Sequence, residues 1–196
     1  SAQGGGAFWL HFAGGRLQAL QARPALSKLV FSSPAGMHQL QDVTGELAWQ
    51  RERDGWQLSA QRLQGRLDNT TWPVPAWSVR EQGGHLVVAA ADVNLANGLL
   101  LANRLSLPAP LATWLREATP DGRLSAIRTE LAAGERGHWQ ARRIDARFEQ
   151  LRAHATTRLP GADHLAGWLH WTPESGVAGL SVQQGRLDLR QIFREP

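Results

Sequence analysis

Apolar and polar residues alternate with period two over much of the chain, and polar clusters ending in glycine break the alternation. Residues two apart share one face of a strand, so each alternating run predicts a half-buried β-strand. The clearest case starts at Gly45, "GELAWQRERDGWQL". Leu47 and Trp49 lead into the break "RERDG", and Trp56, Leu58 and Ala60 follow it. A second case starts at Gly167, "GWLHWTPESGVAGLSV". Leu169 and Trp171 precede "TPESG", and Leu180 and Val182 follow it. Both begin G-x-L-x-W and both run on to G-R-L-D. A polar break that ends in Gly between two alternating runs is a hairpin connection.

The triplet G-R-L occurs four times, at Gly15, Gly65, Gly122 and Gly185. Read with the hairpins, it marks strand starts at which Leu faces the apolar side and Arg the wet side. Gly suits such a junction because it tolerates a bulge or a bend. Further strands follow the same rule. "AFWLHFAGGRLQAL" is a strand, a Gly-Gly turn and a return strand. "HLVVAAADV" from His85 is a strand with little polarity on either face. In "GHWQARRIDARFEQL", Ile144, Ala146 and Phe148 share one parity, whereas Trp139 and Ala141 have the other. That switch predicts a bulge near Arg142.

The middle of the chain changes period. Leu95, Leu99 and Ala102 recur at helical spacing, with Asp92 or Asn94 placed to cap. "LPAP" interrupts, and Leu111, Trp114 and Leu115 form a second short stripe with Pro110 suited to its first turn. "TPDG" ends it. The predicted organisation is a first β half over 1–91, a helical insertion over 92–118 and a second β half over 119–196. The two apolar stripes would cover one end of a sheet or bind a partner.

The 196 residues suffice for about one domain. The opening "SAQGGG" reads as the end of a fragment. With no Cys, disulfides and thiolate metal sites are excluded. No apolar run reaches the roughly 20 residues of a spanning helix. The net charge is +4, and Lys28 is the one lysine among 21 basic residues. Arginines could form a phosphate-binding surface, or they reflect a coding bias. They are interleaved with Asp and Glu, and no run of like charge resembles a nucleic-acid footprint.

Enzyme signatures are missing. There is no HExxH, GxSxG, P-loop or GxGxxG. His164 and His170 flank "LAGWL", but without a third ligand at defined spacing they read as surface histidines. The expectation is therefore no catalytic residue, no metal and no cofactor. The nine tryptophans, beside no tyrosine at all, are the unusual feature. They could line an apolar groove, sit at a membrane interface or fill a core.

Three ordered pieces carry a resemblance. They are L-x-L-P…L-x-x-x-x-P-x-G-x-L from Leu105 to Leu124, F-x-x-L…P-G-x-x-x-L-x-G from Phe148 to Gly167, and the closing L-D-L…F. In that order, over nearly the whole chain, the sequence resembles the YhdP family of AsmA-like bacterial envelope proteins. The resemblance implies a mainly β fold of repeated antiparallel hairpins, forming a curved open sheet or trough with two short helices inserted. It also implies a periplasmic segment of a longer protein anchored in the inner membrane, carrying phospholipid between membranes.

On that reading the partners are phospholipid acyl chains, neighbouring segments of the same protein and other envelope proteins, with no nucleic acid. The lipid-contacting candidates are Leu47, Trp49, Trp56, Leu58, Leu169, Trp171, Leu180 and Val182. Two other readings stay open. One is an envelope scaffold or interaction module whose sheet face is permanently buried. The other is a carbohydrate module with tryptophan stacking platforms.

Overall fold

The computed structural model of the protein describes residues 1–33, 36–72, 74–102, 109–134, 139–156, 160–181 and 185–188. Alternation and turn chemistry give strands throughout, and they join into one open antiparallel sheet. In chain order the strands are β1 (Ala2–Ala13), β2 (Arg16–Ser33), β3 (Gly36–Glu52), β4 (Gly55–Leu67), β5 (Thr70–Thr71), β6 (Trp77–Gln82) and β7 (His85–Asn94). After helices α1 (Leu95–Ala102) and α2 (Ala109–Ala118) come β8 (Asp121–Ala133), β9 (Trp139–Ala153), β10 (Gly161–Trp171), β11 (Gly176–Ser181) and β12 (Arg186–Asp188).

Sheet order follows chain order, β1-β2-β3-β4-β6-β7-β8-β9-β10-β11, with β5 beside β4 and β12 beside β10. Successive strands along this path pair as antiparallel neighbours. β4 reaches β6 by way of β5, and the β7–β8 connection holds both helices, yet β7 and β8 still pair directly. The sheet therefore runs unbroken across the insertion. β7 extends to Asn94, three residues into the stretch expected to be helical, and the side chain of Asn94 then caps α1 by accepting from the Asn97 N–H at 2.9 Å.

The four G-R-L triplets do different jobs. Gly14 and Gly15 form the β1–β2 turn with φ of 57° and 71°, the left-handed pair that a two-residue hairpin needs. Gly65 is a correction to the expected strand start, since it lies inside β4 near its end. What Gly65, Gly122 and Gly185 share is a neighbour. Each stands against a strand in which a non-glycine residue adopts positive φ, namely Asp42 (51°), Gln150 (52°) and His164 (53°). The pairing register slips at those same places. A Cβ on Gly122 would meet the Gln150 carbonyl oxygen at 2.8 Å. The glycine is thus the flat site that lets the adjacent strand bulge toward it. The expected bulge at Arg142 is present: Glu130 pairs with Arg143 and Leu131 with Ala141, so Arg142 is the extra residue.

Packing is concentrated at the end of the sheet near the helices. Leu165 is 2% exposed, Pro120 is fully buried, and Leu67, Ala118, Phe148 and Thr156 are buried. The His154 N–H donates to the Ala118 carbonyl at 2.8 Å, tying the end of α2 to β9. Helix α1 packs on β5, β7 and β8. Elsewhere, among the described residues, no second sheet lies over this one. The accessible surface is 13130 Å², whereas a compact protein of this 21.5 kDa mass would expose about 9,200 Å². A fold with that excess leaves most of one layer uncovered.

Candidate functional site: an apolar sheet face

Residues directly opposite each other in an antiparallel ladder point to the same side, so the pairing register assigns faces without ambiguity between bulges. One row runs through all ten strands of the main path: Leu10, Leu20, Trp49, Leu58, Val79, Val88, Thr129, Ile144, Trp171 and Gly176. No register slip interrupts it. Nine interstrand steps of about 4.8 Å make it about 43 Å long.

A second row, two residues further along each strand, is entirely apolar. Phe8, Ala22, Leu47, Ala60, Trp77, Ala90 and Ile127 form its first stretch. Ala146, Leu169 and Ala178 form its continuation beyond the β8–β9 bulge. The small residues nest between large ones, so Ala60 is 2% exposed between Leu47 and Trp77, whereas the edge residue Phe8 is 63% exposed. On the hairpin side of the first row, Arg51, Trp56, Glu81, Leu86 and Leu131 follow on β3, β4, β6, β7 and β8. Polarity on this face therefore rises toward the turns.

The opposite face reads Trp9, Gln21, Ala48, Ser59, Ser78, Ala89, Arg128, Asp145, His170 and Val177 along the matching row. Ion pairs stud it. Arg80 meets Glu52 at 2.6 Å, Arg143 meets Asp145 at 2.6 Å, and Arg128 meets Glu130 at 3.2 Å. The hydrogen bond from His170, followed by that from Arg143, holds the Asp145 carboxyl below its usual range. Trp9 stands on this wet face with the Arg23 guanidinium 5.6 Å from its ring centroid. The sheet is thus one layer with one apolar and one solvated side.

Of the eight candidate residues, Leu47, Trp49, Trp56, Leu58, Leu169, Trp171 and Leu180 all lie on the apolar face, Leu180 opposite Gly167 on the edge strand β11. Val182 lies outside the described residues. The structure adds members the alternation did not single out: Leu20, Trp77, Val79 and Val88. Trp77 and Val79 sit in the six-residue strand β6, whose "WSVREQ" alternation before Gly83–Gly84 is the signal that marks it.

His164 and His170 are not brought together. His170 Nδ1 meets Asp145 at 2.6 Å on the polar face. His164 sits on its own bulge beside Asp163 at 2.8 Å and accepts from Arg152. Among the described residues no group of three or more potential ligands could hold a metal ion. No described helix is long and apolar enough to cross a membrane.

Comparison with known proteins agrees with the residue pattern. The sequence model of the family described as YhdP protein matches residues 1–196. The chain is 29% identical over 163 residues to the intermembrane phospholipid transporter YhdP of Escherichia coli (strain K12). That alignment covers 74% of this chain and 12% of the relative's length. No solved structure matches the chain. With the family match spanning every residue, the chain belongs to the YhdP family.

Proposed function

We propose that this chain is a non-enzymatic segment of an envelope protein that moves phospholipid between membranes, and that its apolar sheet face holds lipid acyl chains. The observation that carries the reading is the uninterrupted row from Leu10 to Gly176 on a face that no second sheet among the described residues covers. Acyl chains need a continuous surface free of unsatisfied hydrogen-bonding groups. A sheet supplies nearly that, because its ladder satisfies the backbone, and the Trp77 indole N–H is the buried side-chain group on this face left without a partner among the described residues. An exposed apolar surface of this extent marks an interaction site rather than ordinary surface. Each acyl methylene moved from water onto such a surface contributes about 0.8 kcal/mol.

The role in transport comes from the relative's name and from family membership. The chain spans only 12% of that relative, so neighbouring segments of the same protein would pair on the free edges of β1 and β11 and lengthen the trough. On this reading the protein works in the periplasm from an inner-membrane anchor outside this segment.

Native mass spectrometry of the purified segment, released gently from detergent, tests the reading. The expected spectrum shows protein with added phospholipid masses. A single sharp apo mass, with no uptake from added vesicles, would favour the scaffold reading instead.

A further inference from the structure

The apolar face has two unlike margins. At the hairpin margin the tryptophans Trp49, Trp56, Trp139 and Trp171 share the face. Trp56 pairs with Arg51 and Glu81, Trp139 with Ala133, and Trp171 with Gly176 beside its turn. Indole rings favour sites where an apolar body meets a wet boundary. Arg80 and Arg143 at this margin are ion-paired on the wet face; the other arginines there are Arg16, Arg51, Arg53 and Arg142. All four are exposed, and none makes an ion pair or side-chain hydrogen bond among the described residues. The nearby acids are partly engaged: Glu52 binds Arg80, and Glu81 accepts from the Gly84 N–H. Asp54 shares the turn with Arg53 and pairs with neither Arg53 nor Arg51.

Toward the other ends of the strands the pattern reverses. Arg62 pairs with Glu46, Arg66 with Asp42, Arg123 with Asp92 and Arg152 with Asp163. Arg147 of β9 and Arg186 of β12 are exceptions among the described residues. That end also carries the helices and the buried cluster around Leu165. One margin therefore offers four unneutralised guanidinium groups beside a belt of indoles, whereas most arginines toward the other are ion-paired and that end is covered.

We infer that the hairpin margin is the ledge for the phospholipid headgroup, so that lipids lie along the strands with phosphates at Arg51, Arg53 and Arg142 and acyl chains pointing toward the helical end. The inference rests on the acyl-chain reading and adds the orientation of the lipid and the residues that recognise its phosphate. Guanidinium groups suit phosphate oxygens through paired N–H donors. The indoles beneath them occupy the level of the glycerol backbone, and the all-apolar row through Leu47 and Ala60 lies deeper.

The test is a competition between phosphatidylglycerol and diacylglycerol of identical chains. Uptake from mixed detergent micelles is read by native mass spectrometry. Wild type is compared with the triple variant Arg51→Gln, Arg53→Gln, Arg142→Gln. These side chains hold no ion-pair or hydrogen-bond partner among the described residues, so the variant should melt as wild type does. Wild type should prefer phosphatidylglycerol by about tenfold or more, the worth of a charge-assisted contact. The triple variant should lose most of that preference while taking up diacylglycerol unchanged. A folded variant that keeps the full preference overturns the headgroup ledge and leaves the acyl-chain reading intact. Wild type that takes up neither lipid sinks the acyl-chain reading, and the ledge with it.

Discussion

Trp49 of β3 and Trp171 of β10 lie in one cross-strand row, linked residue by residue through Leu58, Val79, Val88, Thr129 and Ile144. A single slip of one residue in any of those pairings would send one tryptophan to the wet face. That none occurs along the row means the two G-x-L-x-W hairpins serve the same surface.

Charge placed on this surface should act differently at its edge and at its centre. Leu180 is 48% exposed on the edge strand, whereas Ala60 is 2% exposed between Leu47 and Trp77. Leu180→Asp should change stability by no more than about 1 kcal/mol, and Ala60→Asp should cost about 3 kcal/mol or more. Urea unfolding with a tryptophan signal measures both. If Leu180→Asp cost as much as Ala60→Asp, the edge of the face would be filled rather than open.

The glycines of the G-R-L triplets should be intolerant only where they face a bulge. Gly122 has φ of +123° and no room for a Cβ against the Gln150 carbonyl, whereas Gly5 has nothing within 4 Å. Gly122→Ala should destabilise by about 1–3 kcal/mol, because both backbone strain and a displaced neighbouring strand enter. Gly5→Ala should be neutral or mildly stabilising. Equal thermal melts for the two variants would contradict the bulge-facing role.

Much of this arrangement was legible beforehand, and the limits have physical causes. Hairpins at 52–55 and 171–176 follow from alternation broken by Gly-ended polar clusters. The bulge at Arg142 follows from the parity switch between Ala141 and Ile144. The bulges at Asp42, Gln150 and His164 left no such trace. A non-glycine residue takes positive φ there because the facing glycine and the next strand's register require it, and neither is local in sequence. For the same reason the sequence showed Gly65 as flexible but not which strand it accommodates. Strand β7 was recognisable, yet in "HLVVAAADV" both faces are apolar, so only the pairing of Val88 with Val79 and Thr129 decides which valine joins the row.

Acid should loosen the helix-covered end. The two hydrogen bonds from Arg123, at 2.7 and 2.6 Å, hold the Asp92 carboxyl below its ordinary value of 3.8. A carboxylate with a lowered folded pKa stabilises the fold fully at pH above its unfolded value, and the contribution is lost as pH falls through the folded value. Stability should therefore fall below about pH 4, and Asp92→Asn should make that acid limb shallower, with the Asp145 contribution remaining. Melting temperatures from pH 2.5 to 7 check this. Acid limbs of equal slope for variant and wild type would remove Asp92 from the account.

The central claim is that acyl chains lie on one face of the sheet and not the other. Site-specific photo-crosslinking tests it most directly, with a photoreactive amino acid placed singly at Leu47, Leu58 and Leu169 and at their strand neighbours Ala48, Ser59 and Trp168. Each variant is mixed with radiolabelled phospholipid and irradiated. The account predicts strong lipid adducts at Leu47, Leu58 and Leu169 and background at the adjacent positions, a period-two pattern repeated on three strands. Adducts of equal strength at neighbouring positions, or at none of the six, would contradict it.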